Sequence, residues 1–582
     1  MRHLSPFFCT PFLLIPLAAA FAQTPPDAGS LLRQQEQLEQ KLPDQFPEAE
    51  APEVVKPAIK PVPGAKVLVK GVRFSGATEL APAAELDALV AGAIGQELDF
   101  VGLQALADKV TAHLRKAGWL LARAYLPQQD VTGGIIEIAI LKGRLDGAAI
   151  EGGGWKISLN EGARIDAGTL NAIAEAAAPS GSAVRQEELE RALLLMNDLP
   201  GVGARSRLEP GTETGTTRIT VDATEGPLFT GNAWADNNGN HSTGENQLNA
   251  ALNLNDPSGR GDQATFSATA SEGIRMARLG YSIPLGSNGL RASAGYTAMH
   301  YEVKEGSGVA AGLEGDSGIA RVALAYPFIR SRTFSLRGSL DAEHKVLKDD
   351  SSVGALRDKR VAAYTLGLSG DSLDQWGGGG LNGFGVSMTA GDLDLSRVAA
   401  DQAADAATLN TQGGYSKLSL NASRLQRLPG SFTLLGKFSA QLAGGNLDSS
   451  EQFILGGPAG VRAYPVGEAQ GDEGWLLGAE LRYDWPGSTP LGALQLAAFA
   501  DTGHIRLHSD PGSVTIPTAT GKNSYQLSGA GLGLNLSKPG SYSLRLAWAH
   551  TIGDNDGRSI TGNNADGEKD NSRFWLQAVA WF

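Results

Sequence analysis

The chain has one cysteine, Cys9, and that residue lies in an N-terminal stretch that reads as a cleaved leader. A mature protein without a thiol has no disulfides, no zinc-thiolate site and no cysteine nucleophile. Long apolar runs are also missing: after the first 22 residues no stretch reaches the roughly 18 apolar residues of a spanning helix. Spanning strands are not excluded, because alternation hides their apolarity. Positive charge is in deficit, with 49 Lys and Arg against 62 Asp and Glu, a net charge of −13. That balance opposes a surface tracking nucleic-acid phosphates. No GxxxxGK(S/T) segment occurs, so nucleotide hydrolysis by this chain does not power any step. His504 and His508 share an i, i+4 spacing without a helical pattern or HExxH, and Asp554-Asn555-Asp556-Gly557 lacks the distal acid of a calcium loop. Gly370-Asp371-Ser372-Leu373 lacks the strand-to-helix setting of a hydrolase nucleophile. The expectation is a protein with no catalytic residues, no metal and no cofactor.

What is present is glycine, at 75 of 582 residues, in a chain too long for one ordinary core. Arg2 and His3, the apolar run Phe7 to Phe21 and the Ala20-Phe21-Ala22 site make residues 1–22 a secretory signal peptide, with Gln23 as first mature residue. Residues 28–42 predict a helix with Leu31, Leu38 and Leu42 near one face and an otherwise polar circumference, which suits a wet cavity better than a core. Pro43, Pro47, Pro52, Pro57, Pro61 and Pro63 make residues 43–66 a semi-extended linker. Residues 67–143 then show a β-α-α-β-β rhythm, and residues 144–226 form a second small α/β unit.

From residue 227 to 582 the pattern turns to period two. In Thr333 to Glu343, Phe334, Leu336, Leu340 and Ala342 alternate with Ser335, Arg337, Ser339, Asp341 and Glu343. Glu480, Arg482 and Asp484 occupy successive same-face positions, which a soluble sandwich would not bury but a water-filled lumen accepts. Short links such as Asp256 to Arg260 and Lys538 to Gly540 alternate with longer polar ones: Glu302 to Asp316, Leu347 to Asp358, Asp394 to Gln412, Gly444 to Glu473, His504 to Asn523 and Gly553 to Asn571. The expected fold is two α/β domains followed by an all-β, 16-stranded antiparallel outer-membrane barrel with both ends on the periplasmic side.

Two segments in this frame carry a family resemblance. Gly460-Val461-Arg462-Ala463-Tyr464-Pro465 lies in the long link 444–473, and Phe499-Ala500-Asp501-Thr502-Gly503 follows on a strand. They resemble the loop-six VRG(Y/F) and strand FxDxG motifs of the TpsB transporters of two-partner secretion, the haemolysin-activator and filamentous-haemagglutinin exporter type. These belong to the POTRA-containing outer-membrane assembly-factor superfamily. Tyr125-Leu126-Pro127-Gln128, Leu141-Lys142-Gly143-Arg144 and Leu199-Pro200-Gly201-Val202 are similar to that family's POTRA elements.

The resemblance implies POTRA domains at 67–143 and 144–226 and a pore plugged by the helix at 28–42. It also implies an outer loop folded into the lumen, where Arg462 meets Asp501. Parity agrees, since Phe499 and Asp501 fall on the face opposite Leu494, Leu496, Ala498 and Ala500. Ala463 stands where the family has glycine, and a positive φ there would penalise it. Phe582 at the C-terminus resembles the signal by which the barrel assembly machinery recognises outer-membrane barrels for insertion. The implied function is export of a secreted exoprotein, a TpsA-type adhesin or haemolysin, recruited through its N-terminal secretion domain. The chain would sit in outer-membrane lipid of a Gram-negative cell, with its POTRA domains in the periplasm. The alternatives are an insertase for other barrels, which has more POTRA units as a rule, and a passive porin, which needs neither motif.

Overall fold

The structure, a computed structural model, describes residues 25–38, 66–147, 153–213, 215–306, 308–487 and 489–582. The expected signal peptide, most of the proline-rich linker and the end of the expected helix beyond Leu38 lie outside the described residues.

Sixteen antiparallel strands close into a barrel, running in chain order from Phe229–Asp236 to Ser572–Trp581. The first and last strands close it in a short register, from Asn232 opposite Trp581 to Asp236 opposite Gln577. Backbone bonds between Gly231 and Phe582, 3.0 Å in both directions, extend this seam to the last residue. Side-chain parity explains why the sequence closes this way. On the Ala493–Arg506 strand, Phe499, Asp501, Gly503 and Ile505 are buried, while Leu496, Ala498 and Ala500 are exposed to the surroundings. Among the described residues no helix is long and apolar enough to cross a membrane.

One expected loop is a strand pair. Leu347 to Asp358 reads as a polar outer link, yet the strands Phe334–Ser351 and Gly354–Asp374 continue through it to a tight turn at Ser352 and Val353. Leu347 pairs with Lys359 and Lys348 with Asp358. The hairpin projects beyond the apolar band, where both faces can be polar, so loss of alternation does not end the strand.

Before the barrel, the first α/β unit sets helices Ala83–Val90 and Phe100–Lys116 on a sheet of Gly71–Gly76, Ile135–Leu141 and Arg123–Tyr125. Val110, Leu114, Ile136 and Ile138 are fully buried between the layers. The second unit centres on Thr216–Glu225, flanked by Val202–Pro210 and Trp155–Leu159, and covers this sheet with helices Ala167–Ala177 and Gln186–Asn197. Trp155 fills its core and donates Nε1–H to the carbonyl of Ala178 at 2.8 Å. At the junction of the units, the Trp119 ring has Lys142 and Arg185 each 5.3 Å from its centroid.

The second unit is fixed to the barrel's short turns. Asp198 forms a two-point pair with Arg330, at 2.7 and 2.9 Å, and Arg191 donates to the carbonyl of Pro327 at 3.0 Å. Glu190 accepts from the backbone N–H of Arg332 at 2.9 Å. These contacts set the α/β units at the turn end of the barrel, opposite the long outer loops.

Candidate functional site in the barrel lumen

The link between Phe432–Ala443 and Glu473–Asp484 folds back into the lumen. Its limbs pair at Phe453–Ile454 and Gln470–Gly471, and the tip tightens through Val461 N–H to Leu455 O at 2.7 Å and Tyr464 N–H to Val461 O at 3.1 Å. Val461, Ala463 and Tyr464 are buried against Leu476, Phe499, Tyr525 and Leu527 of the wall. Two motif glycines are required by close approach. A Cβ on Gly460 would lie 2.0 Å from the Leu455 carbonyl oxygen, and one on Gly503 would lie 2.3 Å from Leu455 Cδ1. Pro465 closes the tip by accepting from Glu468 N–H at 3.2 Å.

Arg462 is the centre of this arrangement. Its Nε and Nη2 donate to Asp501 Oδ2 and Oδ1 at 2.7 and 3.0 Å, and Nη1 donates to Glu480 Oε2 at 2.5 Å. The guanidinium lies 3.4 Å from the Phe499 ring centroid, and the Arg462 carbonyl accepts from Trp575 Nε1 at 2.8 Å. Glu480 in turn accepts from Arg482 Nε at 2.8 Å. A planar guanidinium satisfies two carboxylates and an aromatic face at once, which a lysine ammonium cannot.

The predicted residues fall as follows. Gly460 to Pro465, Phe499, Asp501, Gly503, Glu480 and Arg482 gather in the lumen, whereas Asp484, on the same face, is exposed near the turn end and accepts from Gln495 at 2.7 Å. Ala463 carries no backbone penalty, since the positive-φ residues of this loop are Gly457, Gly467 and Ala469, the last at φ 56°. Glu473, expected at the loop's end, begins the next strand. Reasoning from the sequence missed Glu480 as a direct partner of Arg462. It also missed Trp575 and Lys437, whose Nζ reaches the carbonyl of Ala459 at 3.3 Å. Period-two parity places Glu480 in the lumen, but nothing linear assigns its partner.

The rest of the lumen holds the helix Ala28–Leu38. Ala28, Leu31 and Leu32 pack on Met276, Tyr301, Ile319 and Leu347 of the wall. Its polar face is bonded as well: Gln34 accepts from Asn240 at 3.0 Å, Gln37 donates to the Ile454 carbonyl at 3.1 Å, and Ala28 N–H donates to Asp349 at 2.8 Å. Lys359 joins helix and loop, pairing with Asp27 at 3.0 Å and Asp448 at 2.7 Å. Lys345 and Lys417 hold the loop's Glu451 at 2.9 and 2.7 Å. Farther along the loop, Glu468 accepts at 2.5 Å from both Asn555 Nδ2 and Ala565 N–H. Burial pushes its carboxyl up to about 7. Among the described residues no cluster of His, Cys, Asp and Glu suits a metal ion.

A closed sixteen-stranded barrel with a folded-in outer loop, carried above small α/β units, defines a protein-translocating pore of the outer membrane. Residues 215–536 match the family described as haemolysin secretion/activation protein ShlB/FhaC/HecB, and residues 67–143 match the POTRA domain, ShlB-type. The chain belongs to this family, the outer-membrane transporters of two-partner secretion, with POTRA domains on the periplasmic side. It is 26% identical over 503 residues to the heme/hemopexin transporter protein HuxB of Haemophilus influenzae (strain 86-028NP), covering 86% of this chain and 84% of that protein. It is also 26% identical over 545 residues to the outer membrane transporter CdiB of Escherichia coli, covering 88% and 85%. The solved structure of CdiB from Escherichia coli superposes with a TM-score of 0.67 at 23% identity, covering 94% of this chain and 95% of that one.

Proposed function

We propose that this chain exports one large exoprotein of the adhesin or haemolysin type, captured by its N-terminal secretion domain at the two α/β units. Among the described residues, the edge strands Gly71–Gly76 and Arg123–Tyr125 of the first sheet each leave one side without a neighbouring strand. Such an edge accepts a further strand from an unfolded client through backbone bonds. The second unit, read here as a second POTRA domain, holds that edge at the pore entrance through Asp198 and Arg330.

The observation that carries the reading is the lumen's filling. Ser30, Gln34 and Gln35 are buried on the helix, Asn240 and the loop backbone partner its polar groups, and Lys359 pairs with Asp27 at its N-terminal end. A plug held by exchangeable polar contacts can leave when a client competes for the space, since each net hydrogen bond contributes only about 1 kcal/mol. The client then threads unfolded, and folding outside prevents its return. Arg462, Asp501 and Glu480 keep loop six aligned with the wall while the helix departs.

The experiment is a comparison of culture-supernatant, surface and outer-membrane proteomes with and without this chain in its native host. Selective loss of one large exoprotein is the expected result and identifies the client. General loss of barrels would indicate an insertase, and no change in either would leave a passive pore.

A further inference from the structure

The transport reading makes no use of a cavity on the outer wall of the barrel. It measures about 770 Å³ and opens across five adjacent strands, from Gln263–Ala270 to Phe334–Ser351. Small outward-facing residues floor it: Ala270, Ala277, Ala298, Gly318 and Ala320, with Tyr296 on the side toward the periplasmic turns. Elsewhere the same strands present bulk to the membrane, with Leu279, Val322, Phe328 and Leu340 more than half exposed at 61%, 58%, 57% and 53%. Methyl-sized residues set among such neighbours make a concave strip along the outer wall.

The strip ends at a charged row. Strand register sets Arg275 beside His300, His300 beside Asp316, and Asp316 beside Lys348, and all four side chains are exposed at the outer margin of the apolar band. The acids around this row have partners of their own. Asp316 Oδ1 lies 3.0 Å from His300 Nδ1, Glu302 is paired with Lys304 at 2.5 Å, and Asp358, opposite Lys348 on the next strand, is paired with Arg360 at 3.4 Å. Among the described residues neither Arg275 nor Lys348 has a carboxylate within the 4.0 Å of an ion pair. Their Cα atoms stand three strand spacings apart, roughly 14 Å, a gap that two extended cationic side chains can close around one anion.

We propose that this cavity binds one phosphorylated, acylated lipid of the outer leaflet, with its phosphate between Arg275 and Lys348 and an acyl chain along the alanine and glycine floor. Charge complementarity selects the headgroup, and continuity with the lipid-facing band selects a membrane amphiphile over a soluble phosphate.

The test uses the full chain, purified in mild detergent, with retained lipid counted by native mass spectrometry. The probes are a phosphorylated outer-leaflet glycolipid, the same lipid after phosphatase treatment, and inorganic phosphate as competitor. The expected result is one tightly held phosphorylated lipid that inorganic phosphate does not displace. R275A/K348A should lower retention roughly tenfold or more. A298F, which fills the floor and leaves the charges, should lower it as well, with heat-modifiable gel mobility unchanged in both variants. Should A298F fail to fold, R275A/K348A at exposed positions still decides the matter. Equal retention of the dephosphorylated lipid, retention unchanged in R275A/K348A, or displacement by inorganic phosphate alone would overturn the proposal. None of these outcomes touches the export reading, whose readout is secretion.

Discussion

Arg462 and Asp501, 39 residues apart in sequence, meet in the lumen as a two-point pair at 2.7 and 3.0 Å, and the arginine side chain is only 13% exposed. The same guanidinium reaches Glu480 at 2.5 Å, so one residue of a long loop is fastened to two adjacent strands. The loop limbs are held separately, through Asp448 and Glu451 to lysines of three other strands and through Glu468 to the last long loop. Each of these attachments can be changed without touching the barrel's backbone ladder, which makes the loop's role open to test.

Arg462→Ala leaves Asp501 buried without its ion-pair partner, and Glu480 with Arg482 alone, a change that costs about 3 kcal/mol or more where a buried pair is broken. The ladder is untouched, so the barrel should insert and keep its heat-modifiable mobility. Export of the client should fall by at least roughly tenfold, a 1.4 kcal/mol effect, as measured by supernatant immunoblot. Arg462→Lys keeps the charge but not the two-carboxylate geometry, and should give an intermediate loss. Normal secretion by Arg462→Ala would remove the loop from the mechanism.

The partners of Arg462 are not equivalent. Asp501 has a side chain 1% exposed and takes three bonds from Arg462, two from the guanidinium and one from its backbone N–H, whereas Glu480, 15% exposed, also has Arg482. Asp501→Asn should therefore impair export more than Glu480→Gln. A double-mutant cycle should show Arg462 coupled more strongly to Asp501 than to Glu480. Secretion rates of the three single variants, the two double variants and wild type give both coupling energies.

Ala463 packs its methyl group on Gly529, where an added Cβ would lie 2.4 Å from Ala463 Cβ. Gly529→Ala should push the loop tip from the wall and reduce export severalfold. The swap Ala463→Gly with Gly529→Ala should restore much of it, because the next neighbour, the His550 carbonyl oxygen, stands at 3.1 Å. Absence of rescue would mean that this contact is not what seats the loop.

The barrel was legible from the sequence because period two survives wherever one face meets lipid and the other water. The Phe499 and Asp501 strand shows this, and its inward residues are those that parity assigns. Legibility failed where the environment has no such asymmetry. The Phe334–Ser351 and Gly354–Asp374 strands rise past the membrane, so charges on both faces looked like a loop. Partner choice failed for a different reason: Lys437 and Glu480 reach loop six from the two strands that flank it, and the curvature of the closed sheet brings Trp575 to the same point from the last strand. The concern over Ala463 rested on a family glycine, yet this chain places its positive-φ residues at Gly457, Gly467 and Ala469 and gives the methyl room at Gly529.

Glu468 gives the loop a pH dependence with a definite sign. Its carboxyl, 4.5 in an ordinary setting, is raised to about 7, chiefly by burial, with Asp566 adding to the rise while Ala565 N–H, Asn555 and Arg573 oppose it. Docking therefore takes up a proton. The contact with the 552–571 loop is at full strength below about pH 4.5, weakens as pH rises to about 7, and is flat above that. Hydrogen-exchange protection at residues 552–571, taken relative to the intrinsic exchange rate at each pH, should fall between these limits in wild type. Glu468→Gln, neutral at every pH, should abolish that trend, and a trend that persists would assign the titration to another group.

The helix should be releasable from its N-terminal end. Asp27 accepts from Ser30 N–H at 2.8 Å as a cap, pairs with Lys359 at 3.0 Å and accepts from Ser449 at 2.7 Å. Asp27→Ala removes all three, with a lost cap alone costing about 1 kcal/mol, while Lys359 keeps Asp448 and loop six stays fastened. The helix should spend more time outside the lumen, and planar-bilayer recordings should show longer openings and higher mean conductance than wild type. Asp27→Asn retains a good cap but loses the ion pair, so its conductance should fall between the two. Wild-type conductance in both variants would mean that the helix is held by its leucines in the wall, and that export opens the pore by moving loop six instead.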